Sequence, residues 1–110
     1  MLSKINRLKK DKDFETAFKQ GKGFKQGFLY LKIRKNNLDA SRFGFVISKK
    51  FSKKAVIRNK TKRRLSEIIK KRLPEIKKGM DAIIVVMPGA ENEFHKLEDT
   101  LDKLFKKAKL

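Results

Sequence analysis

Residues 42–87 read RFGFVISKKFSKKAVIRNKTKRRLSEIIKKRLPEIKKGMDAIIVVM, and this stretch decides the fold. Its two ends are apolar and rich in β-branched residues. Arg42 to Ser48 reads as a strand. Met80 to Met87, bounded by Gly79 and by Pro88-Gly89, reads as a strand buried on both faces, because an apolar run without alternation has no side to turn to water. Between them the period changes. Leu65, Ile68, Ile69 and Arg72 fall at i, i+3, i+4 and i+7, with Thr61 and Arg58 extending the stripe toward the N-terminus, so a helix is expected from Ala55 to Leu73. Only its second half is apolar enough to be core-bound. Pro74 places the helix end nearby. Parallel strands on either side of a helix require a crossover, and a right-handed one is the geometric default.

Upstream, Asp11 to Gln20 has Phe14, Ala17 and Phe18 on one face, Asp11 as a candidate N-cap and Gly21 as a stop, which predicts a short helix. Gly23-Phe24-Lys25 is a candidate edge strand. Phe28 to Lys35 alternates, with Leu29, Leu31 and Ile33 pointing one way and Phe28, Tyr30, Lys32 and Arg34 the other. Asn36-Asn37 then signals a turn, and an antiparallel hairpin to Arg42–Ser48 is the economical pairing. Downstream, Glu91 to Lys107 places Phe94, Leu97, Leu101, Leu104 and Phe105 on one helical face. The expected order is α-β-β-β-α-β-α, an α+β protein in the form of a small α/β sandwich. With 110 residues and no linker or repeat, residues 1–110 are expected to form one domain.

Charge is the largest compositional fact: 31 Lys or Arg against 12 Asp or Glu give a net +19. It is unevenly placed. Residues 41–79 hold 15 basic and 2 acidic side chains, whereas residues 80–110 hold 5 and 6. From Lys49 to Arg64 there are nine basic residues and no acidic one. Self-repulsion on that scale implies nucleic acid or an anionic membrane surface as partner, and the Arg58 to Arg64 segment has none of the bulky apolar residues a membrane-surface helix needs. The absence of Cys removes disulfides, thiolate nucleophiles and Cys-based zinc sites, and the longest apolar run is too short for a membrane span. A soluble cytoplasmic protein with no membrane partner is expected.

Catalytic and metal-ligating residues are sparse. His95 is the sole histidine and has no ligand partner near it in sequence, which suits a structural role. Glu91, Glu93, Glu98, Asp99 and Asp102 are spaced as a solvated helix face, not as a converging pair. No phosphate-binding glycine loop occurs. No catalytic residue, no protein metal site and no small-molecule substrate are therefore expected.

Binding determinants are plentiful instead. On the Ala55 helix, Asn59, Arg63, Ser66 and Lys70 follow one side, with Lys60, Arg64, Glu67 and Lys71 on the next, so cations cover the face opposite Leu65 and Ile69. Lys49, Lys50, Lys53 and Lys54 crowd the helix N-terminus, where the macrodipole is already positive. That is unfavourable until phosphates bind there. The second determinant is the strand face of Phe28, Tyr30, Lys32 and Arg34, since aromatics mixed with cations stack bases and track a backbone. Phe14 and Phe18 have two readings, wall of the same groove or core.

At Lys53 to Glu67, KKAVIRNKTKRRLSE, the sequence resembles the signature of the bacterial ribonuclease P protein subunit, a long basic helix with an Arg-Asn-Arg core and a following Lys-Arg pair. Here the core is Arg58-Asn59-Lys60 and the pair Lys62-Arg63, with Arg64 beyond. Lys60 keeps the charge but not the bidentate fork of arginine. Arg7-Leu8, Asp13-Phe14, Phe18-Lys19-Gln20-Gly21, Phe28-Leu29-Tyr30 and RFGFVISKK extend the resemblance over most of the chain. The resemblance implies a left-handed strand–helix–strand crossover, against the default. It also implies that the protein binds a catalytic RNA and the 5′ leader of precursor tRNA, whose removal is driven by Mg²⁺ held by the RNA. Lys53, Lys54, Arg58, Asn59, Lys60, Lys62, Arg63 and Arg64 would then form the RNA-binding helix. Phe14, Phe18, Phe28, Tyr30, Lys32, Arg34 and Lys49 would line the leader cleft. The rival is a ribosomal or other structural RNA-binding protein, which has no need to keep the Tyr30 face open.

Overall fold

The computed structural model describes residues 2–47, 54–87 and 96–110. In chain order these form α1 (Asp11–Gln20), β1 (Lys22–Gln26), β2 (Leu29–Lys35), β3 (Arg42–Ile47), α2 (Ala55–Arg72), β4 (Met80–Val86) and α3 (Leu97–Lys107), with 3₁₀ turns at Lys4–Asn6 and Leu73–Glu75. The expected order of elements is met. Ser48 and residues 91–95, including Phe94 and His95, lie outside the described residues, so their assignments to β3 and to the last helix go unread. Asp11 is the first residue of α1, not its N-cap. Lys10 holds that position without a side-chain bond, and Asp11 and Asp13 in the first turn instead complement the helix dipole.

The four strands lie in the order β1-β2-β4-β3. The tight hairpin joins β1 to β2: Gln26 pairs with Leu29 across a two-residue turn in which Gly27 has φ +56°, the conformation such turns demand of their first central residue. The expected hairpin between β2 and β3 does not form. Instead β4 lies between them, antiparallel to β2 and parallel to β3. The reason is burial: apart from Asp81, β4 is apolar on both sides and takes the centre, where both of its edges are paired and all of its residues but Val85 are buried.

Helices α2 and α3 cover one face. Leu65, Ile68 and Ile69 of α2 and Leu97, Leu101 and Leu104 of α3 close over Leu29, Leu31, Ile33, Phe43, Ala82, Ile84 and Val86 in the main core. Each large aliphatic side chain buried there contributes about 1.5 to 3 kcal/mol. The hand of the crossover follows from Phe43. Its side chain lies in the core beneath α2, and its C=O accepts the Leu8 N–H (2.9 Å) on the edge away from β4. For an L-residue viewed from its side-chain face with the strand running upward, N–H and C=O point right. Leu8 is therefore to the right and β4 to the left, so the path β3–α2–β4 in front of the sheet turns left. The crossover is left-handed, as the resemblance implies and against the geometric default.

Candidate nucleic-acid interface

The other face of the sheet is built in rows, because paired residues on neighbouring strands turn their side chains to the same side. The first row is Lys25, Tyr30, Val85 and Val46. The second is Gly23, Lys32, Ile83 and Gly44, and the third is Arg34, Asp81 and Arg42. Helix α1 lies on the second row. Ala17 packs with Ile83 and Leu8, and Phe14 lies directly over Gly44, where an added Cβ would meet the Phe14 Cζ at 2.3 Å. At its C-terminal end the Lys32 Nζ donates to the Gly21 C=O (3.3 Å).

The third row anchors the start of the helix. Arg42 donates from Nε and Nη2 to the two oxygens of Asp81 (2.8 and 2.7 Å) and from Nη1 to Asp13 of α1 (3.3 Å). Asp81 is 3% exposed and also accepts from Asn36 Nδ2 (2.9 Å). The bond to Asp81, before any other influence, holds the Arg42 guanidinium above its usual range. No sequence signal pairs residues so far apart, and the linkage of Arg42 with Asp81 and Asp13 was not foreseen from the sequence.

The first row is less covered than the second. Tyr30, Val85 and Val46 are half-buried there, the two valines packed at the edge of the Leu8, Ala17 and Ile83 cluster, and Phe18 of α1 is exposed. The Tyr30 ring reaches over Gly23, so closely that a Cβ there would meet its hydroxyl at 2.1 Å. Val46, Val85 and the two glycines shape this face and were not singled out in the sequence; strand parity was the available signal. The residues of the expected cleft are thus divided. Tyr30 lies in the first row, Phe18 is exposed, and Phe14 is half-buried against Leu8, Ala17 and Ile83. Lys32 lies under the end of α1, and Arg34 falls in the third row. Phe28 leaves the set: it ends the turn after Gly27 and packs against the main core, so the alternation begins at Leu29. Lys49 lies outside the described residues.

On α2, Asn59, Lys60, Lys62, Arg63, Arg64, Lys70 and Lys71 are exposed and Arg58 is half-buried. Ser66 is buried and donates to the Lys62 C=O (3.0 Å), so it does not belong to the polar flank expected of it. Lys54 stands at the N-cap without a side-chain cap, and no acidic residue occupies the first turn. The N-terminal end of α2 thus combines an uncompensated dipole with cations, which favours an anion. Lys53 lies outside the described residues.

A half-buried sheet row carrying Tyr30 and a helix with a cationic exposed side both suit RNA, and comparison with known proteins gives the chain a family. The family model Ribonuclease P matches residues 2–109. The chain belongs to the ribonuclease P protein family. A ribonuclease P protein component from Synechocystis sp. is 38% identical over 97% of this chain and 88% of its own length, and one from Caldanaerobacter subterraneus is 33% identical over 100% and 95%. Among solved structures, the RNase P protein from Thermotoga maritima matches with a TM-score of 0.83 at 34% identity, covering 92% of this chain and 96% of that one. A Staphylococcus aureus RNase P protein mutant with defective mRNA degradation activity matches with a TM-score of 0.89 at 30% identity, covering 96% and 90%. Ribonuclease P is the endoribonuclease of tRNA 5′ processing, and this family is its protein component. Membership sets aside the ribosomal-protein alternative. Among the described residues, no group of three or more His, Cys, Asp or Glu side chains is placed to hold a metal ion, and no helix is long and apolar enough to cross a membrane.

Proposed function

We propose that this chain, as one RNA-binding domain spanning residues 1–110, grips two RNAs at once. Lys54 and the α2 residues Arg58, Asn59, Lys60, Lys62, Arg63 and Arg64, together with Lys53, which lies outside the described residues, bind phosphates of the catalytic ribonuclease P RNA. The first row of the sheet, centred on Tyr30 and walled by Phe14 and Phe18, takes the single-stranded 5′ leader of precursor tRNA, and Lys49, outside the described residues, joins the set. The observation that supports this reading is that α1 lies on the second row of the sheet and leaves the first, with Tyr30, only half-buried, while cations cover the exposed side of α2. Bases stack on the ring and apolar floor while cations follow the backbone. Hydrolysis proceeds at Mg²⁺ held by the RNA, in the cytoplasm, and the protein's part is binding and positioning. Reconstitution tests it: with a bacterial ribonuclease P RNA at low Mg²⁺, added protein should restore cleavage of the leader, and rigorously RNA-free protein should leave precursor tRNA intact. Failure to stimulate, or cleavage by protein alone, would overturn the proposal.

A further inference from the structure

A third surface lies at the free edge of β3. Leu8 pairs with Phe43 on that edge, and the chain then departs into α1. Alternation turns the Phe45 N–H and C=O the same way as those of Phe43, and they meet no backbone partner among the described residues. The vacated edge forms the floor of a groove of about 360 Å³, within the size range of small-ligand sites. Phe14 and Phe45 supply aromatic surface, and Arg7, Lys9 and Lys62 supply charge. None of these three cations has an ion-pair partner among the described residues, and the Arg7 Nε is buried without a hydrogen-bond partner. A buried donor left unsatisfied is costly. Asp13 and Asp39 line the adjoining hollow, which Arg7 also borders, but Asp13 is already bound by Arg42. Three clustered cations also discourage a further β-strand from pairing with this edge.

We propose that this edge groove binds one nucleotide of RNA, its phosphate on Arg7, Lys9 and Lys62 and its base against Phe14 and Phe45. The site rests on the RNA-binding reading above; it shares Phe14 with the leader row and Lys62 with the α2 face, and adds Arg7, Lys9 and Phe45 to them. It makes the N-terminal segment an RNA contact.

The chain has no cysteine, so Lys9→Cys creates a single thiol to which Fe(II)-EDTA can be tethered. In reconstituted holoenzyme with precursor tRNA, localised strand scission is expected at one short segment. Cuts in the leader identify its distal end as the occupant, and cuts in the catalytic RNA identify that RNA; absence of cuts in both overturns the proposal. In parallel, Arg7→Gln should weaken binding of the RNA so identified by about tenfold and flatten its salt dependence by about 0.7 in log–log slope, with Arg7→Lys recovering part of both. Arg63→Ala is the control. If it weakens catalytic-RNA binding while Arg7→Gln does not, the edge groove is wrong and the RNA reading stands; if neither does, that reading fails. A lower melting temperature for Arg7→Gln with unchanged affinity makes Arg7 structural and also overturns the proposal. The tethered probe retains Arg7, so it decides the matter even if Arg7→Gln fails to fold.

Discussion

Arg42 and Arg72 each bind two carboxylates, and burial separates their contributions. Arg42 holds an aspartate that is 3% exposed, so removing the arginine strands a buried charge. Arg72 bonds Asp102 (Nη2, 2.7 Å) and Glu98 (3.2 Å), whose side chains are 42% and 39% exposed, where water replaces a lost partner. Arg42→Ala should therefore cost about 3 kcal/mol and Arg72→Ala about 1 kcal/mol or less, measured by urea denaturation. Equal losses would mean that the Asp81 carboxylate is not sealed from water. The raised pKa of Arg42 carries its own sign: stability from that group is complete below the ordinary arginine range and is lost only above it, so no Arg42-linked change is expected near neutral pH. At the first row, Tyr30→Ala should lose roughly 1 to 3 kcal/mol of affinity for precursor tRNA and none for mature tRNA. Gly23→Ala should move the same way by displacing the ring; equal weakening toward both RNAs would remove Tyr30 from the cleft. Alternation made Tyr30 readable from sequence. It could not show that Phe28 belongs to a turn, because one residue of offset at a strand start leaves no trace in composition.

Helix α2 answers to two demands along one length. Thr61, Leu65, Ile68 and Ile69 are buried while the opposite side is charged, so the two functions should separate by mutation. Leu65→Ala should cost about 2 to 5 kcal/mol of stability. Joint replacement of Arg63 and Arg64 by Ala should leave the melting temperature nearly unchanged but flatten the salt dependence of catalytic-RNA binding by up to about 1.8 in log–log slope. An unchanged slope would take phosphates away from this face. The helix was legible because its period is long and its charge one-sided. The pairing of β2 with β3 was misread because chain proximity favours a hairpin and local sequence says nothing about insertion. The information lay in the doubly apolar Met80–Val86 strand, which needs a neighbour on each edge. The hand of the crossover was equally hidden: it depends on which edge of β3 meets Leu8, a contact between residues far apart in the chain.

The molecule carries +19 in 110 residues, and almost all the surplus lies outside the C-terminal helix. Its self-repulsion is long-ranged, so raising NaCl from about 0.01 to 0.15 M, which shortens the Debye length from about 30 to 8 Å, should raise the melting temperature. A fall would mean that the attractive pairs at Arg42 and Arg72 outweigh the repulsion. The architecture adds a consequence of a different kind. Tyr30 is the chain's only tyrosine, there is no tryptophan, and the structure places that ring on the half-buried first row of the sheet. Excited beyond the phenylalanine absorption band, the ultraviolet emission of the whole protein is therefore a one-position optical signal, native and label-free, originating where the leader is proposed to lie. Titration with a short leader oligonucleotide should quench it in step with binding. Loading the α2 face with catalytic RNA lacking substrate should leave it largely dark to the change, so the two RNAs can be followed separately on unmodified protein.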